Sequence, residues 1–189
     1  MWRRRAVQRV LRWRTAVALA CALGVLCVRL PCSSRLVERF PRVEPRRLAH
    51  FLADFTNYPR LYPHLGTWRV IKEESNVSTW RYVVSYECGA RCGGRVEVSA
   101  HDELAPRSHR TRLHDTRCTP WLPWLPWPQF CEELEVESVV RPADGRGEGG
   151  AVLEESARAW CGALRLAAGA CALRPRREEH VRALRDVLD

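Results

Sequence analysis

His101, His109, His114 and Glu155 are the residues whose types could do acid–base chemistry, and all four fall on or near stretches of strand-like alternation. Glu155 lies on a run with apolar residues at both parities, so it can point inward. A carboxylate beside an imidazole in an apolar cavity can move protons near neutral pH, because burial raises the carboxyl pKa. More commonly, such residues on half-polar strands face solvent. No Ser–His–Asp spacing, phosphate-binding glycine loop or metal quartet accompanies them. No catalytic residue, metal or cofactor is therefore assigned, and a non-enzymatic role is favoured over an enzymatic one.

The nine cysteines raise a second chemistry. Cys21, Cys27 and Cys32 lie in or beside an apolar N-terminal run, leaving Cys88, Cys92, Cys118, Cys131, Cys161 and Cys171. Six permit three disulfides in any of fifteen connectivities, and spacing alone does not choose among them. Cys88 and Cys92 flank a turn at Gly89–Arg91, close enough to bridge or to supply two metal ligands. The remaining cysteines lack a paired spacing, which counts against zinc. A local or Cys118–Cys131 disulfide stands against unpaired buried thiols.

Trp121-Leu122-Pro123-Trp124-Leu125-Pro126-Trp127-Pro128 is the most unusual local sequence. Proline at this density favours polyproline II, whose three residues per turn would set Trp121, Trp124 and Trp127 in one row. Tryptophan partitions to the membrane–water interface, so the row could dock on a bilayer or line a portal. The plainer reading has it cover one end of a sheet. Asn76-Val77-Ser78 is a glycosylation sequon in a turn, meaningful only if the domain is luminal.

Charge separates the chain into two parts. Residues 1–35 hold eight arginines and no acid, nearly all of the formal net charge of +9. The basic excess thus belongs to a targeting segment rather than to a folded face, which excludes nucleic acid as a partner. Residues 16–28 follow without a charge. As helix they reach only about 20 Å, short for a bilayer but suited to a secretory signal or a signal anchor held by the arginines. The expected location is a membrane of the secretory pathway or outside the cell, with the mitochondrion as the alternative, since an Arg-rich, acid-free leader also fits import there.

Residues 36–189 must then position whatever works. Trp80, Tyr82, Val84 and Tyr86 alternate with polar residues; so do Val96, Val98 and Ala100, and Leu134, Val136 and Val140. This is the period-two signature of half-buried strands. Val70–Glu74 reads as an edge strand, His109–Arg117 as a polar one, and Ala151–Trp160 as one with a bulge or two buried faces. Leu36–Val43 adds a possible first strand. Pro45 suits the first turn of a helix with the stripe Leu48, Phe51, Leu52 and Phe55, and Pro59 and Pro63 confine a second, short one. Pro175 restarts a helix whose stripe is Val181, Leu184 and Leu188; Leu164, Ala167, Ala168 and Cys171 share the spacing, which predicts one long helix kinked near Pro175.

This order of elements, with Leu52-Ala53-Asp54-Phe55-Thr56-Asn57-Tyr58-Pro59 running on to Pro63, resembles the START-like superfamily of polyketide cyclases and lipid-transport proteins. The resemblance covers residues 36–189. It implies an α+β helix-grip fold: a short helical pair, then a curved antiparallel sheet of six to seven strands packed on a long C-terminal helix. It also implies a hydrophobic cavity between sheet and helix. Trp80, Tyr82, Val84, Val96, Val98, Leu134, Val136, Leu164, Val181 and Leu184 are its candidate lining. The expectation is a carrier or sensor of a lipid or other apolar small molecule, attached to a membrane through residues 1–35. A cyclase- or isomerase-like enzyme and a secreted, disulfide-bonded interaction domain are the alternatives. An apolar, open cavity favours the carrier, and converging polar groups favour the enzyme.

Overall fold

The computed structural model describes residues 28–76, 79–89, 92–103, 108–122, 125–144, 150–162 and 171–188, with isolated positions at 13, 14, 17, 20, 24 and 166. Strand β1 (Arg29–Phe40) leads into helix α1 (Pro45–Ala53), a 3-10 turn (Phe55–Asn57) and helix α2 (Tyr58–Leu61). Six strands follow: β2 (Trp68–Ser75), β3 (Thr79–Glu87), β4 (Gly93–Glu103), β5 (Ser108–Leu122), β6 (Leu125–Pro142) and β7 (Ala151–Gly162). Helix α3 (Leu173–Leu188) comes last. The strands form one seven-stranded antiparallel sheet in the order β1-β7-β6-β5-β4-β3-β2. Consecutive strands pair with their neighbours, while β1 joins the far edge beside β7, so α1 and α2 must cross the concave face to reach β2 at the other edge. This is the helix-grip arrangement.

The concave face is filled in two portions. Helix α3 packs on β1 and β7, and Val181, Leu184 and Leu188 join Phe40, Leu48, Leu52, Val140 and Leu153 in one core cluster. Over β2, β3 and β4 the covering layer is the α1–α2 junction instead: Phe55 and Tyr58 pack with Tyr82, Val84, Tyr86, Val96 and Val98. That junction is held by side chains that cap the C-terminal carbonyls of α1. Asn57 Nδ2 donates to Phe51 O at 3.2 Å, the Tyr58 hydroxyl to Leu52 O at 3.1 Å, and the Tyr82 hydroxyl to Ala53 O at 2.5 Å. The Tyr82 oxygen also accepts the Phe55 N–H at 2.8 Å. A buried helix end without such partners would leave several carbonyls unpaired.

Several expectations need correction. β1 begins at Arg29 and ends at Phe40, so the sheet draws on residues ahead of Leu36 and stops short of Val43. β7 carries no bulge: it pairs without interruption with β1 and β6, and Ala151, Leu153, Glu155 and Ala157 form its buried face. The parity looked mixed because a carboxylate occupies a core position while Trp160 is exposed on the outer face. Register shifts lie instead in β2, between Val70 and Lys72, and in β5, between Pro120 and Leu122. The C-terminal helix starts at Leu173, ahead of Pro175, after a turn at Cys171 and a non-helical Ala172. Leu164, Ala167 and Ala168 lie outside the described residues. Gly150, at φ +86°, turns the chain into β7 where an added Cβ would strike Phe40 O and Pro41.

Candidate functional site

Glu155 does point inward, but its partners are not the three histidines. On β7 it is 1% exposed, and the α3 residue Arg177 grips it from Nε (3.1 Å to Oε2) and Nη2 (2.6 Å to each oxygen). Ser138 Oγ on β6 donates to Oε1 at 3.2 Å. One turn along α3, His180 sets Nε2 3.7 Å from Oε1, while Nδ1 lies 2.7 Å from the Tyr62 hydroxyl with the two rings stacked. A neutral His180 with its proton on Nε2, toward the carboxylate, accepts from Tyr62 at Nδ1. Burial, and then the Arg177 charge, lower His180 to about 4. Burial is the largest influence on Arg177 and works to lower it, but the Glu155 carboxylate together with Tyr62 and Tyr58 outweighs it and the guanidinium is raised. Burial pushes Tyr62 up.

His101 is exposed and bonded to Thr79 Oγ1 at 2.9 Å, and His114 is half-exposed, 3.5 Å from Glu135. His109 pairs along the ladder with Asp102 and Val140. None of the three joins Glu155. Arg177 and His180 were legible in principle, because positions 177, 180, 181, 184 and 188 make a helical stripe that places a cation and an imidazole among apolar residues.

A second polar pair is half-buried between strands. The Tyr86 hydroxyl donates to Asp115 Oδ1 at 2.7 Å, and burial raises the Asp115 carboxyl against the help of that hydroxyl and of Arg117.

The candidate cavity residues divide among three clusters. Tyr82, Val84, Val96 and Val98 are buried against Phe55 and Tyr58, with Trp80 partly buried beside them. Val136 and the half-buried Leu134 pack with Ala157 and Leu173. Val181 and Leu184 belong to the α3 cluster, and Leu164 lies outside the described residues. Open space occurs toward the β2 edge. There a cleft of about 120 Å³ is walled by Phe55, Trp68, Val70, Trp80 and Tyr82, with Asp54, Thr56 and Glu73 at its margin. Trp68 stands edge-on to Phe55 at 5.8 Å, Trp80 lies 4.8 Å from Tyr82, and Trp80 Nε1 donates to Glu73 Oε1 at 2.9 Å. Val70 shares the concave face with its ladder partner Val84 yet is 48% exposed. The reason is that α3 packs at the opposite side of the sheet and does not roof this side. A second cleft, of about 140 Å³, lies over Val83 among Lys72, Glu74, Arg81, Arg95 and Glu97 and is polar.

The cysteines pair as Cys88–Cys92, Cys118–Cys131 and Cys161–Cys171. The reading as unpaired thiols is corrected, and Cys88 and Cys92 are committed to a bridge rather than to a metal. Among the described residues Cys32 is the free, half-buried cysteine. The tryptophan segment is also corrected: β5 runs through Trp121 and β6 through Trp127, with Leu122 opposite Leu125, so these residues lie on a β-hairpin instead of a polyproline II row. Trp124 lies outside the described residues. Asn76 is exposed, its N–H bonded to Thr79 O at 2.8 Å in the β2–β3 turn. Among the described residues, no helix is long and apolar enough to cross a membrane; most of the 16–28 run lies outside them.

No protein-family model matches the chain, and no curated protein matches it in sequence. Solved structures do share its fold. A Rhizobium loti protein superposes with a TM-score of 0.52 at 13% identity, over 84% of this chain and 98% of that one. A hypothetical protein of Helicobacter pylori also reaches 0.52, at 11% identity over 85% and 88%. A START superfamily protein of Mycobacterium smegmatis gives 0.46 at 13% identity over 85% and 97%. The fold is START-like. That conclusion rests on the strand order and on the α1–α2 crossing beneath a terminal helix, with the first two superpositions beside it.

Proposed function

We propose that this chain is a non-enzymatic binding domain for a lipid or other apolar small molecule, taken up on the concave face at the β2 edge. The observation that carries this reading is the open, aromatic-walled cleft bounded by Phe55, Trp68, Val70, Trp80 and Tyr82. Its volume of about 120 Å³ compares with the ~150 Å³ of an apolar cavity that takes up benzene, so one ring or a short stretch of acyl chain fits. The rest of a longer ligand would run out past Val70. Aromatic walls with a few polar groups at the margin are what small-molecule sites use for affinity and orientation.

The enzymatic alternative has weaker support. Both Glu155 oxygens are engaged by Arg177, Ser138 takes a further position on one of them, and the group is sealed from solvent. Three disulfides support an oxidising compartment, hence the secretory route or the cell exterior.

Native mass spectrometry of protein purified from its own cells tests this reading, followed by titration with the fluorescent fatty acid cis-parinaric acid. The expected result is a co-purified apolar molecule, and probe binding that Val70→Arg abolishes. Protein that carries no ligand and ignores the probe would falsify the reading.

A further inference from the structure

The strand registers place several separate features at one end of the sheet. Arg29 at the start of β1 pairs with Gly162 at the end of β7, Gly93 at the start of β4 pairs with Cys118, and Glu87 at the end of β3 pairs with Gly93. All three disulfides therefore lie at this end: Cys88–Cys92 closes the β3–β4 turn, Cys118–Cys131 ties β5 to β6, and Cys161–Cys171 ties β7 to the segment before α3. β1 begins at this end with Arg29, the residue that follows the charge-free run 16–28 in sequence.

The β5–β6 hairpin projects from the same end. Among the described residues, β4 pairs with β5 no further than Cys118 and β7 pairs with β6 no further than Leu134. Beyond the Cys118–Cys131 disulfide the two strands pair only with each other, as far as Leu122 opposite Leu125. Four residues at about 3.3 Å each carry this ribbon ~13 Å past the disulfide, comparable with one leaflet of a ~30 Å hydrocarbon core. From Thr119 to Phe130 the sequence has no charge, and it includes Trp121, Leu122, Leu125, Trp127 and four prolines. A two-stranded ribbon normally fares badly in lipid, because its outer N–H groups stay unpaired. Proline carries no backbone N–H, so a proline-rich ribbon presents fewer donors to be paired.

We propose that this end of the domain faces a lipid bilayer and that the disulfide-clamped hairpin enters the membrane interface. The occupant is a bilayer rather than a protein because the ribbon beyond the disulfide carries no charge over residues 119–130, and because tryptophan suits the interface. The proposal stands apart from the ligand cleft, since it uses none of the residues that line it.

The test is local, because the N-terminal run could by itself hold the full chain on vesicles. A photoreactive benzophenone is placed at Trp127, or as the comparison at Glu135 further along β6, and the full-length protein is irradiated on phosphatidylcholine vesicles. Lipid adducts at 127 in about tenfold excess over 135 are expected. In a second measurement, the Trp121→Ser, Trp127→Ser chain should lose vesicle association about tenfold while its thermal midpoint stays within a few degrees. Equal adducts at both positions, adducts at neither, or unchanged association of the double variant would each overturn the proposal. Cross-links from 127 to a protein in place of lipid would overturn it too.

Discussion

Arg177 on α3 holds Glu155 on β7 through a two-pronged, buried ion pair, a buried counterpart to the more exposed Arg185–Glu38 pair that also ties the terminal helix to the sheet. Removing one partner strands a buried charge, which costs about 3–5 kcal/mol, whereas replacing both by apolar residues of similar volume can be neutral. Arg177→Met and Glu155→Leu should each destabilise by that amount in urea unfolding, and the double variant should recover most of it. Additive losses would show that the pair is not a coupled unit.

His180 makes stability depend on pH. Its pKa is lowered to about 4 in the fold, against about 6.5 unfolded, so between these values the unfolded chain binds more protons. Stability is therefore complete above about pH 6.5 and falls as pH drops toward 4. Asp115, raised by burial, contributes with the opposite sign in the carboxylate range, so the difference between wild type and His180→Gln isolates the histidine. That difference should shrink by a few kcal/mol between pH 7 and 4. A difference independent of pH would place the histidine's protonation outside the stability balance.

Val70 offers a clean test of the cleft, because at 48% exposure its replacement should change stability by no more than about 0.5 kcal/mol. Trp80→Ala, by contrast, removes a wall that also packs on Tyr82 and should cost both probe affinity and stability. If Val70→Arg binds parinaric acid as wild type does, the ligand lies elsewhere.

The Cys161–Cys171 bridge spans 10 residues in sequence and joins β7 to the start of α3. Cys161→Ser with Cys171→Ser should lower stability by about 2–3 kcal/mol on loop-closure grounds. Thiol alkylation with and without prior reduction, read by peptide mass, checks the pairing: Cys88, Cys92, Cys118, Cys131, Cys161 and Cys171 should react only after reduction.

Expression through the secretory route should put a glycan on Asn76, exposed in its turn. A mobility shift removed by glycosidase and absent from Asn76→Gln is the expected result, and import of the chain into mitochondria would contradict it.

The sequence by itself determined the elements whose signal is local. Alternation in β3, β4 and β6 predicts which side chains turn inward because strand period is a property of consecutive residues, and Tyr82, Val84, Val96, Val98 and Val136 are buried accordingly. Pro45 and the Leu48, Phe51, Leu52 stripe likewise mark α1. What covers each inward face is not a local property. Tyr82 and Val84 meet Phe55 and Tyr58 rather than α3, because the crossing from β1 to β2 takes the space over β2 to β4 and leaves α3 beside β1 and β7. The same long-range geometry chose one cysteine connectivity out of many and gave Glu155 an arginine and a histidine from α3 instead of the histidines on the strands. It also gathered Trp68, Val70 and Trp80, from two strands, around one opening. Only tertiary structure decides such meetings, because contacts between residues far apart in sequence depend on how the covering layer is shared across the sheet.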